Sequence, residues 1–222
     1  MELEVVADEK AAARRGAELI AAAGRAAVAE RGIFELAMSG GRTPWAMLAI
    51  LGDLEEMPWG ETELFQVDER VAAPGSEDRN LTHLVLGLSL EHQSTLRPMP
   101  VTQRDLDAAA REYESSLPGA LDLVHLGLGP DGHTASLVPG DGVLEVTDRS
   151  VAPTEGAYRD HRRMTLTYPA LAAARRIVWL VTGEEKRDAL AKLLAGDDSI
   201  PAGRVANDEM VVVADAAAAP SA

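Results

Sequence analysis

Five short apolar runs with almost no polar interruption set the limits on this fold: residues 33–38, 64–68, 123–128, 177–182 and 210–213. A strand with one wet face alternates apolar and polar residues. A nearly continuous run belongs to a strand covered on both faces, as in a parallel sheet between helix layers. The intervening segments carry helical spacing. Residues 8–30 place Ala12, Gly16, Leu19, Ile20, Ala23 and Ala27 at three-to-four intervals, with Asp8 placed to cap and Gly32 to close. Thr102 with Asp105 makes a capping-box pattern before Leu106, Ala109, Tyr113 and Leu117, and Thr182 with Glu185 repeats it before Ala189, Leu190 and Leu193. Strands alternating with helices predict an α/β fold, a doubly wound, mostly parallel sheet with helices on both faces in a Rossmann-like three-layer αβα arrangement. The chain is read as one domain, residues 1–222.

Charge narrows the partners. Against 21 Lys and Arg stand 36 Asp and Glu, a formal charge of −15 that repels nucleic acid and anionic membrane, so neither is expected as a partner. No run approaches the roughly 20 apolar residues of a spanning helix, and the opening MELEVVADEK is acidic where a signal peptide is basic, so a cytoplasmic protein is expected. With no cysteine there is no disulfide, thiolate metal site or cysteine nucleophile. Between Arg159 and Arg187, however, seven basic residues face three acids, enough for a small anion or simply a mixed-charge surface.

In a doubly wound sheet, ligands bind beyond the carboxyl ends of the strands. Four such ends carry chemistry. After the first run comes SGGRTP: Ser39, Gly40, Gly41, Arg42 and Thr43 form either a tight turn or an anion-binding helix start, with Thr43 a possible cap and Pro44 suited to the first helical position. It is neither a Walker loop nor a dinucleotide fingerprint. The second end, VDER, sets Asp68, Glu69 and Arg70 directly on a strand, with Arg79 and Asn80 in a polar loop downstream.

The third is DLVHLGLGPDGHTASLVPG, where Gly127, Gly129 and Gly132 clear space for Asp131 and His133 ahead of a possible helix start at TASL. Packing explains His133 poorly. A histidine passes protons near neutral pH, and a neighbouring carboxylate can hold its tautomer. A helix terminus favours neutral imidazole while Asp131 favours the charged form, and spacing does not decide between them. His125, inside the run, reads as a satisfied core or surface residue. HxxEH and HExxH are absent, and no metal is expected. The fourth end is TGEEK, where Lys186 in a first helical turn opposes the macrodipole unless it pairs with a glutamate or a bound anion.

In order and spacing, SGGRTP, VDER, LGLGPDGHTASLVPG, RRMTLT and TGEEK resemble the 6-phosphogluconolactonase family from Ser39 to about Pro201. That family shares its fold with glucosamine-6-phosphate deaminases and sugar-sensing regulators. Deaminases typically carry Asp-Glu-Tyr at the second strand end and a GHIAFNEPG-like segment, whereas this chain has Asp68, Glu69, Arg70 and HTASLVPG. It departs from the family in Val138 for phenylalanine, in Arg79 where serine is usual, and in lacking the proline pair before RxTLT, where Tyr158 and His161 stand instead.

The resemblance implies hydrolysis of 6-phospho-D-glucono-1,5-lactone to 6-phosphogluconate, with His133 as base, Asp131 as its orienter and no cofactor. The phosphate is expected among residues 39–43 with Lys186, and Arg79 and Arg163 are further candidates as countercharges. Asp68, Glu69, Arg70, Gly129 and Gly132 complete the implied substrate site, and Arg70 alternatively shores up its loop through Asp68 or Glu69. The expected partner is the sugar phosphate alone, with the protein a monomer. The alternatives are a deaminase-like isomerase and a non-catalytic sugar-phosphate sensor.

Overall fold

The computed structural model describes residues 1–220. Asp8 caps the first helix as expected, its carboxylate accepting from the Ala11 amide at 2.8 Å, and α1 (Glu9–Arg31) ends at Gly32 in the left-handed region. Its small-residue face, Ala12, Ala13, Gly16 and Ala17 with Ile20, is fully buried against the sheet and α2 (Arg42–Asp53). α3 (Asn80–Gly87) lies on the same face, and its Leu84 joins that core.

Seven parallel strands form the central layer: β1 (Glu2–Val6), β2 (Phe34–Met38), β3 (Thr62–Gln66), β5 (Leu96–Arg97), β6 (Leu123–Gly127), β9 (Ile177–Val181) and β10 (Met210–Asp215), in the order β1-β10-β9-β6-β2-β3-β5. The opposite face is covered by α4 (Leu106–Ser116), α5 (Tyr168–Ala173) and α6 (Arg187–Ala195) around Trp179 and Val212. The three-layer α/β architecture is as the sequence predicts.

A second, antiparallel sheet, β4-β8-β7, was not visible in the apolar pattern; it comprises β4 (Asp68–Arg70), β7 (Val151–Pro153) and β8 (Arg163–Leu166). The run read as one strand over 64–68 therefore divides at Val67, whose amide still bonds to the Met38 carbonyl while its own carbonyl accepts from Leu166. The chain passes there from one sheet to the other. Edge strands β1 and β5 escaped detection because Glu2 and Glu4 interrupt the apolar residues of the first and the second is two residues long.

Both expected capping boxes change. Asp105 itself caps α4 through the Ala108 amide at 2.9 Å, and Thr102 has no part in it. Thr182 instead bonds to Thr43, and residues Glu184–Lys186 form a 3-10 turn before α6. No helix begins at TASL, where Thr134 and Leu137 bridge across a tight turn. His125 lies in the core with both ring nitrogens lacking a partner among the described residues, and burial pushes its pKa down to about 3, so it is a neutral core residue but not a satisfied one.

Candidate active site

Strands β2 and β6 are neighbours whose following connections leave toward different parts of the molecule, so their carboxyl ends open the crevice of the sheet. A cavity of about 400 Å³ occupies that crevice, a size suited to a small metabolite. The second sheet supplies its far wall through Asp68, Arg70 and Arg163.

Residues 39–43 form the floor. Ser39 donates its hydroxyl to the His125 carbonyl at 3.1 Å, which fixes where the loop leaves β2. Gly40 has no room for a side chain, since a Cβ would stand 2.1 Å from Asn80 Oδ1. Gly41 precedes α2, and Pro44 is that helix's third residue rather than its first. Thr43 does not cap; its hydroxyl bonds to Glu9 at 2.7 Å and meets Thr182 at 2.8 Å. Consequently the amides of Gly41, Arg42 and Thr43 have no acceptor among the described residues and stand at a helix N-terminus, an arrangement that suits an anion. The Arg42 guanidinium turns outward to Glu9 at 3.1 Å.

Beyond β6, the Gly129 amide donates to the His133 carbonyl at 2.8 Å, folding the loop back on itself. Only glycine fits at 129, where a Cβ would lie 1.9 Å from His133 Nδ1. Nδ1 sits 2.5 Å from Asp131 Oδ1, and Asp131 Oδ2 accepts from the Tyr158 hydroxyl at 2.8 Å. Burial works against ionisation of Asp131, but the hydrogen bonds from His133 and Tyr158 outweigh it and hold its pKa at about 2. Burial pushes the His133 pKa below its ordinary value despite the attraction of Asp131. The result near neutral pH is a carboxylate accepting from Nδ1–H of a neutral imidazole, whose Nε2 has no partner among the described residues. Burial, and not a helix terminus, therefore decides the balance that spacing left open.

The remaining candidates divide. Lys186 borders the cleft at the end of the Glu184–Lys186 turn, its pKa lowered by burial while Glu185 opposes the shift. Arg163 also borders it, donating to the Tyr158 carbonyl at 3.2 and 3.3 Å, whereas Arg162 turns away to the Thr154 carbonyl. Asp68 is buried at the wall, accepts from Ser136 at 2.6 Å, and has its pKa raised by burial. Glu69 and Arg79 lie behind the wall, paired at 3.3 Å and both buried. Arg70 reaches the cleft, and its guanidinium shores up the neighbouring loop through the Asp78 carbonyl at 2.8 Å, while only its backbone amide meets the Glu69 side chain, at 2.7 Å. Gly132 lies outside the lining, in the turn closed by its amide on the Gly129 carbonyl.

The family of glucosamine-6-phosphate isomerases/6-phosphogluconolactonase matches residues 7–213. The chain belongs to this family. It is 33% identical over 207 residues to a 6-phosphogluconolactonase of a Nostoc species, covering 87% of this chain and 85% of that one. It is 36% identical over 211 residues to the 6-phosphogluconolactonase of Mycobacterium tuberculosis, covering 86% and 85%. A crystal structure of a 6-phosphogluconolactonase from Shewanella baltica superposes with a TM-score of 0.85 at 25% identity, over 97% of this chain and 98% of that one. With these relatives the chain is an enzyme, a lactonase.

Four residues at this lactonase site went unassigned from sequence. Asn80 donates to Asp68 at 3.2 Å, Ser136 shares the same carboxylate, and Tyr158 and Arg159 stand beside His133. The signals for the last two were YRDH occupying the place of the family's proline pair and, for Arg159, its place in the basic cluster that runs to Arg187. Among the described residues no cluster of three or more His, Cys, Asp or Glu could hold a metal ion, and no helix is long and apolar enough to cross a membrane.

Proposed function

We propose that this chain, acting as one domain and as a cytoplasmic monomer, hydrolyses 6-phospho-D-glucono-1,5-lactone to 6-phosphogluconate, the second step of the oxidative pentose phosphate pathway. The observation that carries the reading is the Asp131–His133 pair at 2.5 Å, with Nε2 unpartnered among the described residues in a cleft whose floor offers free helix-start amides. Nε2 takes a proton from water as the water oxygen attacks the lactone carbonyl. The tetrahedral intermediate then collapses, the bond from C1 to the ring oxygen breaks, and imidazolium returns the proton to that oxygen. One water is consumed, and the products are the sugar hydroxyl and the carboxylic acid, which ionises.

The phosphate fits the amides of Gly41, Arg42 and Thr43, with Lys186 and Arg163 as countercharges. Arg79 is excluded from that role in this reading because Glu69 already holds it. The substrate is a small anion, and neither nucleic acid, membrane nor a cofactor enters the scheme.

The test is acceleration of freshly generated lactone hydrolysis, followed as 6-phosphogluconate and corrected for spontaneous opening. A wild-type rate equal to the blank rejects the reading, and ammonia release from glucosamine 6-phosphate then becomes the assay. Lys186→Ala is expected to weaken 6-phosphogluconate binding about tenfold in calorimetry, with turnover at saturation less affected. Wild-type affinity in that variant removes Lys186 from the phosphate site. The base must be neutral to act, and burial lowers its pKa, so kcat/KM is expected to stay level through neutral pH and to fall only below the ordinary histidine range. An acid limb above that range contradicts the assignment.

A further inference from the structure

The hairpin between β7 and β8 carries a feature that the lactonase reading does not use. Tyr158 and His161 pair across a two-residue turn, the Tyr158 amide donating to the His161 carbonyl at 2.9 Å. Arg159 (φ 48°) and Asp160 (φ 69°) are both left-handed, the backbone of a type I′ turn without the glycine or asparagine that adopts it readily. The turn is held in place from the site side. Tyr158's carbonyl accepts from two nitrogens of Arg163, and the Arg159 and Arg163 guanidinium carbons lie 5.1 and 5.2 Å from the Tyr158 ring centre. Fixed in this way, the ring leans on His133 with centroids 5.2 Å apart, and its hydroxyl reaches Asp131 Oδ2 at 2.8 Å and His133 Nδ1 at 3.3 Å.

Asp131 is therefore gripped at both oxygens, Oδ1 by His133 and Oδ2 by Tyr158. Its side chain is otherwise 37% exposed, and Oδ2 has no second partner among the described residues. We propose that Tyr158 is a positioning residue whose hydroxyl fixes the Asp131 carboxylate so that His133 is kept protonated on Nδ1 and bare on Nε2 toward the cleft. This rests on the reading of His133 as the base. The hydroxyl also disperses charge on Asp131, and without it the carboxylate draws a proton to His133 more strongly. Charged groups that share the cleft with the imidazole are Arg159 on the same hairpin, Asp68 and Arg70 on β4, Arg163 on β8, Arg42 at the start of α2, and Glu185 and Lys186 before α6; Arg159 opposes protonation and Asp68 favours it.

Tyr158→Phe tests the assignment, since it keeps the ring and its stacking on both arginines and removes only the hydroxyl. Turnover is expected to fall about tenfold, as for loss of one hydrogen bond to a charged group, with KM within about twofold of wild type. The acid limb of kcat/KM is expected to move to higher pH. Nitrogen-15 NMR of His133 without substrate is expected to show the Nδ1–H tautomer in the wild type and earlier protonation in the variant. Wild-type turnover with an unmoved acid limb overturns the proposal. So does a raised KM at unchanged kcat, which makes Tyr158 a wall of the binding site. If the wild type fails to accelerate lactone opening, the lactonase reading falls on its own. The NMR titration still judges Tyr158 in that event, and an unaltered His133 tautomer and titration in the variant overturns its role.

Discussion

Replacing His133 with alanine is expected to lower turnover by roughly 100-fold or more, with a modest effect on affinity for 6-phosphogluconate. Among the described residues, the imidazole is the one group in the cleft that joins a bare acceptor nitrogen to a carboxylate partner, and the phosphate floor lies on a different loop, after β2. Removing the base should therefore spare ground-state binding. The substitution also shortens a side chain that packs on Tyr158 and fills the space above Gly129, so thermal unfolding should accompany the kinetics. A folded variant that turns over at the wild-type rate removes His133 from the mechanism. A variant that keeps turnover but loses the ligand moves His133 into the binding wall.

Glu69→Ala should be the most damaging substitution to stability near the site. This carboxylate is fully buried and accepts from Gln66 Nε2 at 3.0 Å, Arg79 Nε at 3.3 Å and the amides of Arg70, Asn80 and Leu81 at 2.7 to 2.8 Å. Two of those amides open α3, so a negative charge there also complements the helix start. Alanine leaves the Arg79 guanidinium buried without its counterion and several donors without acceptors, a loss of about 3–5 kcal/mol. For a chain of this size that corresponds to a fall in Tm of roughly 10 °C, readable by calorimetry. A shift within a degree or two contradicts the hub reading. Because Asn80 also holds Asp68, the surviving folded fraction should bind ligand more weakly.

Five of the seven central strands were legible because burial on both faces leaves few polar positions, while β1 and β5 were not, and the glycine loop was legible because packing gave no reason for a histidine at 133. Asp8 and Gly32 marked the ends of α1 because capping is a local matter of one side chain and one left-handed residue. The second sheet stayed hidden: β4, β7 and β8 are three or four residues long, too short for a period to declare itself, and their partners are distant in sequence. The same limit applied to the charged residues of VDER. Sequence placed Asp68, Glu69 and Arg70 at a strand end as a group, but their contacts separate them into a cleft wall, a buried hub and a loop brace.

By itself, then, the sequence determined the layering of the fold, the loops that meet at the strand ends and the family, since each is written in local pattern and motif order. Only the tertiary structure decided which arginines face the cleft, that Arg79 is bound to Glu69, and that Tyr158 grips Asp131 across 27 residues of chain. A side chain's charge is fixed by its chemistry. What it does with that charge depends on the partner within hydrogen-bond reach and on how much water remains around it, and both are properties of the folded molecule.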